Sequence, residues 1–283
     1  MGSGGTKPGR CWKIPKIGFL RTTGLCGALI LLGVTAGIAR DLSEAELRWI
    51  GSRIFANECG GRAEALVAWN RGEAFASLGI GHFIWYPQGQ HGPYAESFVD
   101  LVSFLRRRKI PLPAMLGATG SPDCPWPNRE AFEAAARSPE KAELRLFLQR
   151  TMDDQTRFMV RRLDAALPRM ITAAPLNRRQ HLRQQYERLA RTPAGLYALV
   201  DYVNFKGEGV APTERIAGQG WGLSQVLEEM DNLPSVVAPL AEFARAAETV
   251  LIRRAEADPR AMLRDRWLPG WLARVRGYAD PSR

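Results

Sequence analysis

A glutamate that closes a helix and faces a glycine-rich hairpin can move protons. Glu58 is followed by Cys59-Gly60-Gly61 and, 19 residues on, by Ser77-Leu-Gly-Ile-Gly-His82. A carboxyl at a helix end can sit in a partly dry cleft, where desolvation disfavours its charged form. A protonated carboxylic acid at neutral pH is what glycosidic cleavage needs to protonate the leaving oxygen. Gly79 and Gly81 permit close backbone approach in the hairpin. A lone glutamate at such a place is also an ordinary solvated helix end, so its neighbourhood has to carry the argument.

A second cluster runs Asp201-Tyr-Val-Asn-Phe-Lys-Gly-Glu-Gly209, then Gly218-Gln-Gly-Trp-Gly-Leu-Ser-Gln225. Sugar sites combine an aromatic platform with fixed amide and carboxylate groups. Asn204, Glu208 and Gln225 are therefore candidate substrate contacts. The plainer alternative is a glycine-rich turn between helices with Trp221 in the core. Trp85-Tyr86, just after the hairpin, could also line a cleft.

The segment Ser77 to His82 resembles the Thr-Ile-Gly-Ile-Gly-His hairpin of the phage-type lysozymes, over about Ser43 to Trp85. The resemblance implies that Glu58 is the catalytic acid. It implies too that Ser77 holds a water or supports the site, and that His82 supports the structure beside Glu58. The family's catalytic Asp falls on Arg71, with Asn70 and Glu73 nearby. A two-carboxylate hydrolase would need Glu73 or a distant acid as substitute. The other outcome is one-acid chemistry, as in the lytic transglycosylases of the same superfamily, where one Glu serves as acid and then base. Gly220-Trp-Gly-Leu-Ser-Gln225 looks loosely like the Gly-Leu-Met-Gln motif of those enzymes, though its order in the chain differs.

The elements that position these groups are mostly helical. Ser43 and Glu46 form a capping box, and Leu47, Ile50 and Ile54 make one apolar stripe behind it. Cys59-Gly60-Gly61 ends that helix with a left-handed exit. Residues 72–92, rich in Gly, β-branched and aromatic types, predict a small irregular sheet or hairpin. A helix over 93–108 buries Phe98, Leu101, Val102 and Leu105. The five prolines of residues 110–128 predict a long surface connection. Helices are expected at 129–137, 139–167, 175–191, 193–204, 221–231, 235–257 and 259–277. The fold class is mainly α (α+β): a lysozyme-like helical domain with a small β-hairpin beside the cleft. Residues 40–283 are expected to form one catalytic domain with extra C-terminal helices. Alternating βαβ units are missing, which sets a nucleotide-binding sheet aside.

The 283 residues carry a formal charge of +10, which at first suggests a polyanionic partner. Residues 1–39 hold Lys7, Arg10, Lys13, Lys16 and Arg21 and no acid, so the body keeps 34 basic and 29 acidic residues. The basic stretch, the apolar run Thr22 to Ala39 and the small residues Gly37-Ile38-Ala39 have the layout of a signal peptide. An uncleaved membrane anchor through residues 22–39 is the rival. Either one places the body outside the cytoplasm, periplasmic or secreted. Cys59 and Cys124 are then expected to pair as a disulfide, with two buried free thiols as the alternative. The three scattered histidines and the missing CxxC and HExxH spacings imply no metal and no cofactor. The body's modest charge sets nucleic acid aside. The expected partner is a polysaccharide, peptidoglycan or a related aminosugar polymer. The expected activity is glycosidic cleavage with Glu58 as general acid, and the alternative is a non-catalytic glycan-binding or envelope-scaffold module.

Overall fold

The computed structural model describes residues 42–117, 119–211, 214–216, 218–231, 238–259 and 263–280. The expected leader or anchor at 1–39 lies outside them. Among the described residues no helix is long and apolar enough to cross a membrane.

Helix α1 (Glu44–Cys59) begins at the capping box: Ser43 Oγ accepts the Glu46 amide, and the Glu46 carboxylate accepts the Ser43 amide. Leu47, Ile50 and Ile54 are wholly buried, as the stripe requires. Gly60 leaves the helix at φ 58, and its amide returns to Phe55 O. That exit carries the chain into a three-stranded antiparallel sheet, β1 (Val67–Ala68), β2 (Ala76–Leu78) and β3 (Phe83–Trp85), in the order β1-β2-β3. Ser77 in the central strand pairs with Ala68 on one side and Ile84 on the other.

Helices follow as the periodicity predicts, with shifted bounds. They are α2 (Ser97–Arg107), α3 (Arg129–Ala134), α4 (Pro139–Arg150), α5 (Met152–Ala173), α6 (Arg179–Ala190) and α7 (Pro193–Lys206). The single helix expected over 139–167 is two, divided at Thr151. There Gln155 Nε2 donates to Leu148 O (2.6 Å) and to Thr151 Oγ1 (3.1 Å). A two-stranded ribbon, β4 (Arg215–Ile216) and β5 (Gln219–Gly220), precedes α8 (Leu223–Glu229), α9 (Pro239–Ala257) and α10 (Leu268–Arg276). The protein is mainly helical with a small antiparallel sheet, as the sequence implies.

Helix α1 packs on α5 and α7, and α9 packs on α10. The hairpin between β2 and β3 is tied to α5, where Ile80 N donates to Gln155 Oε1 (2.9 Å), and to the turn before β1, where Gly79 N donates to Leu66 O (2.8 Å). Gly79 has φ +70, and a Cβ there would lie 2.3 Å from Gln155 Oε1. Only glycine meets both conditions. The proline-rich connection is not purely surface, because Leu116, Cys124 and Trp126 are buried. Trp126 stacks edge-on against Trp85 and Phe132, which draws the segment into the core.

Candidate functional site

Glu58 stands in the last turn of α1, where three other parts of the chain meet it. Arg274 of α10 donates from Nη2 to Oε1 at 2.5 Å, and Asn204 of α7 donates to the same oxygen at 3.3 Å. The other oxygen, Oε2, lies 3.4 Å from His82 Nδ1 in the hairpin. The Glu58 side chain is 12% exposed. His82 holds φ 46, a left-handed conformation that a non-glycine residue adopts at some cost. The turn after Gly79 imposes that conformation and aims the ring at Glu58.

Arg274 is shared. Its Nε donates to Asp201 Oδ2 (2.8 Å) and its Nη2 to Asp201 Oδ1 (2.7 Å). Asp201 is wholly buried, and it also accepts from Asn57 Nδ2 (3.1 Å) and from the Tyr278 hydroxyl. Asn57 donates to Tyr197 Oη as well (2.8 Å). Tyr197, Asp201 and Asn204 recur at helical spacing, so α7 presents all three to α1 and α10 on one face. Burial works against the charge of Arg274, yet Asp201 and then Glu58 outweigh it and hold the guanidinium cationic beyond the ordinary arginine range. Fork geometry of this kind fixes orientation as well as energy.

His82 and Asn204 also line a cleft of about 750 Å³, together with Lys206, Glu208, Trp221 and Trp271. Glu58 lies directly behind the first two. Glu208 is gripped by Arg169 through both oxygens, at 3.0 and 2.5 Å. The structure thus brings Glu58, His82, Asn204 and Glu208 to one region. Asp201, Arg274, Tyr278 and Asn57 join them, although the sequence marked none of these as site residues. Asp201 opens the segment that contains Asn204, and its helical spacing from Asn204 was the available signal.

Other expected contacts fall elsewhere. Ser77 is 3% exposed, and its Oγ donates to Glu73 Oε2 (3.4 Å), which also accepts from Asn70 (3.1 Å). No hydrogen bond among the described residues joins Ser77 or Glu73 to Glu58. Trp85 corrects the expectation of a cleft wall. It is wholly buried between Phe98 and Trp126, and its indole N–H donates to Pro122 O. Gln225 is a brace rather than a cleft contact. It accepts from Gly222 N (3.1 Å), donates to Gly209 O (3.2 Å) and lines a neighbouring cavity of about 470 Å³.

The expected disulfide is corrected too: Cys59 and Cys124 are separate buried thiols. Cys59 Sγ packs against Gly79 O (3.9 Å) and His82 Nε2 (4.0 Å), while Cys124 Sγ faces Trp126 O (3.7 Å). Burial, with the charge of Glu58 adding to it, pushes the Cys59 thiol up to about 12. Burial pushes Cys124 to about 11. Among the described residues no three His, Cys, Asp or Glu side chains converge as a metal-ligand set.

Comparison with protein-family models, with curated proteins and with solved structures finds no match to the chain.

Proposed function

We propose that this protein cleaves glycosidic bonds in peptidoglycan or a related aminosugar polymer of the cell envelope, with Glu58 transferring the proton. One observation carries the proposal: Glu58 lies 12% exposed behind His82 and Asn204, which line an aromatic and polar cleft of about 750 Å³. Its Oε1 is occupied by Arg274 and Asn204. Oε2, beside His82, is the oxygen left to carry and deliver a proton. Arg274 gives two bonds to Asp201 and one to Glu58, and so fixes Oε1 against the buried Asp201 network.

The neighbouring carboxylates favour chemistry with one acid. Asp201 is wholly buried with both oxygens used, and Glu73 is engaged by Ser77 and Asn70. Asp201 has no oxygen left to activate a water, as a two-carboxylate hydrolase requires, and Glu73 does not line the cleft. In this reading Glu58 protonates the glycosidic oxygen. It then takes the proton of a hydroxyl of the same sugar as that hydroxyl attacks. The signal-like leader of residues 1–39 agrees with an envelope substrate.

The test is digestion of purified peptidoglycan by the wild-type chain and by Glu58→Gln, with chromatography of the released fragments. We expect anhydro-sugar ends from the wild type and a loss of about 10²–10⁴-fold in Glu58→Gln, the usual contribution of a positioned acid. A fully active Glu58→Gln protein overturns the assignment. The Arg274–Glu58 ion pair at 2.5 Å favours a second reading, a module that binds glycan without cutting it. Strand binding by the wild type with no new ends of either kind would favour that reading.

A further inference from the structure

We propose that the cleft accepts glycan strands bearing carboxylate groups, and that Lys206 is the residue that receives the carboxylate. This rests on the glycan reading of the cleft. Lys206 ends α7 and lines the cleft. Its Nζ lies 3.1 Å from the centre of the Trp271 ring and 4.0 Å from that of Phe205. Among the described residues that amine has no hydrogen bond and no ion pair.

The charged groups around it leave it unanswered. Arg254 from α9 and Arg274 from α10 are both cations, as is Arg162 from α5 across the cleft. His82 faces in from the hairpin. The cleft's two carboxylates are committed: Glu208 to Arg169, and Glu214 to the amides of Gly209 (2.8 Å) and Ala211 (3.1 Å). Burial, then Arg254 and Arg274, push the Lys206 amine down to about 6. Lys141 shows the contrast. It lies 3.1 Å from the centre of the Phe132 ring, but it donates to Phe132 O at 2.7 Å and is 4% exposed. Lys141 is a satisfied structural amine, whereas Lys206 lines the cleft with its donors unused among the described residues.

A largely buried amine with unused donors has room for a partner, and one that can both accept those bonds and restore its charge is an anion of hydrogen-bonding size. When a carboxylate docks, the neutral amine takes a proton from solvent and an ammonium–carboxylate pair forms. The sign follows: the bound state holds the proton more tightly than the free state. Between a pH of about 6 and the higher value in the complex, binding consumes a proton and weakens as pH rises.

The test is titration calorimetry on the full chain carrying Glu58→Gln, which stops cleavage. The probes are a neutral oligomer of N-acetylated glucosamine and a strand of equal length with lactyl carboxylates on alternate sugars. We expect the carboxylated strand to bind roughly tenfold tighter or more at pH 7. Buffers of different ionisation enthalpy should report net proton uptake on binding, because the amine held below its ordinary range becomes protonated in the complex. Lys206→Arg should keep the preference without proton uptake, and Lys206→Met, checked for folding by its thermal transition, should bind both strands alike. Equal affinities, or a preference that survives Lys206→Met, overturn the proposal. Failure of both strands to bind overturns it together with the glycan reading. A carboxylate preference in a protein whose wild type never cuts leaves this proposal standing and removes the cleavage assignment.

Discussion

Replacing Arg274 with methionine removes a cation that joins α1, α7 and α10. Asp201 is 0% exposed and takes two of its hydrogen bonds from Arg274. Without them it keeps, among the described residues, Asn57 and Tyr278 as donors. Breaking a buried ion pair from one side costs about 3–5 kcal/mol, because the remaining charge is left uncompensated. Methionine retains much of the packing against Phe205, over whose ring the guanidinium stands at 4.3 Å, so the loss is mainly electrostatic. For a domain of this size each kcal/mol moves the midpoint by about 2–4 °C, which puts the expected fall in Tm at roughly 6–20 °C. Scanning calorimetry at pH 7 measures it. The control is Asp201→Asn, alone and combined with Arg274→Met. Removing both charges leaves hydrogen-bonding groups without a buried anion, so the double variant should recover about 1–3 kcal/mol relative to additivity. A fall of less than about 1 kcal/mol for Arg274→Met, or a strictly additive double variant, refutes the claim that this pair holds the site together.

Two further outcomes can be checked independently. Gln155→Leu leaves the Ile80 amide without its acceptor at the hairpin tip, and urea unfolding should register a loss of about 1–3 kcal/mol; a change within 0.5 kcal/mol, the size of an ordinary surface substitution, speaks against Gln155 as the tie. Cys59 and Cys124, pushed to about 12 and about 11, hold almost no thiolate at pH 8. Native protein should therefore resist thiol labelling at both positions, and urea-unfolded protein should label at both; a peptide linked through Cys59 and Cys124 in the mass map refutes the free-thiol arrangement.

What the sequence disclosed about this site follows the range over which each signal acts. The Ser43–Glu46 box, the Leu47-Ile50-Ile54 stripe and the Gly60 exit are local, and all three form as the residue types dictate. The approach of His82 to Glu58 spans 24 positions and was expected only from the resemblance of Ser77 to His82 to a known hairpin, since no local pattern sets that distance. Trp85 was misassigned for a physical reason. An aromatic residue in a short strand suits a cleft wall and a core equally, and the choice was made by Trp126, which arrives from the proline-rich segment 41 positions away. The cysteine pairing failed similarly, since two cysteines fix a count and not a geometry.

Arg274 marks the limit of such reasoning. It lies 216 positions from Glu58, in a chain with 39 lysines and arginines, and nothing local distinguishes it from the others. Yet it is the residue that joins the first helix to the last. The C-terminal helices expected as extras within residues 40–283 therefore contribute to the candidate site: α10 supplies Arg274 to Glu58 and Trp271 to Lys206. Arg274 and Lys206 mean something only in that closed arrangement. In the sequence they contribute to a net charge; in the fold, one is neutralised by two carboxylates and the other is left facing the cleft. The group that bears on the proposed carboxylate site is thus a single uncommitted amine, and the chain's overall excess of basic residues does not identify it.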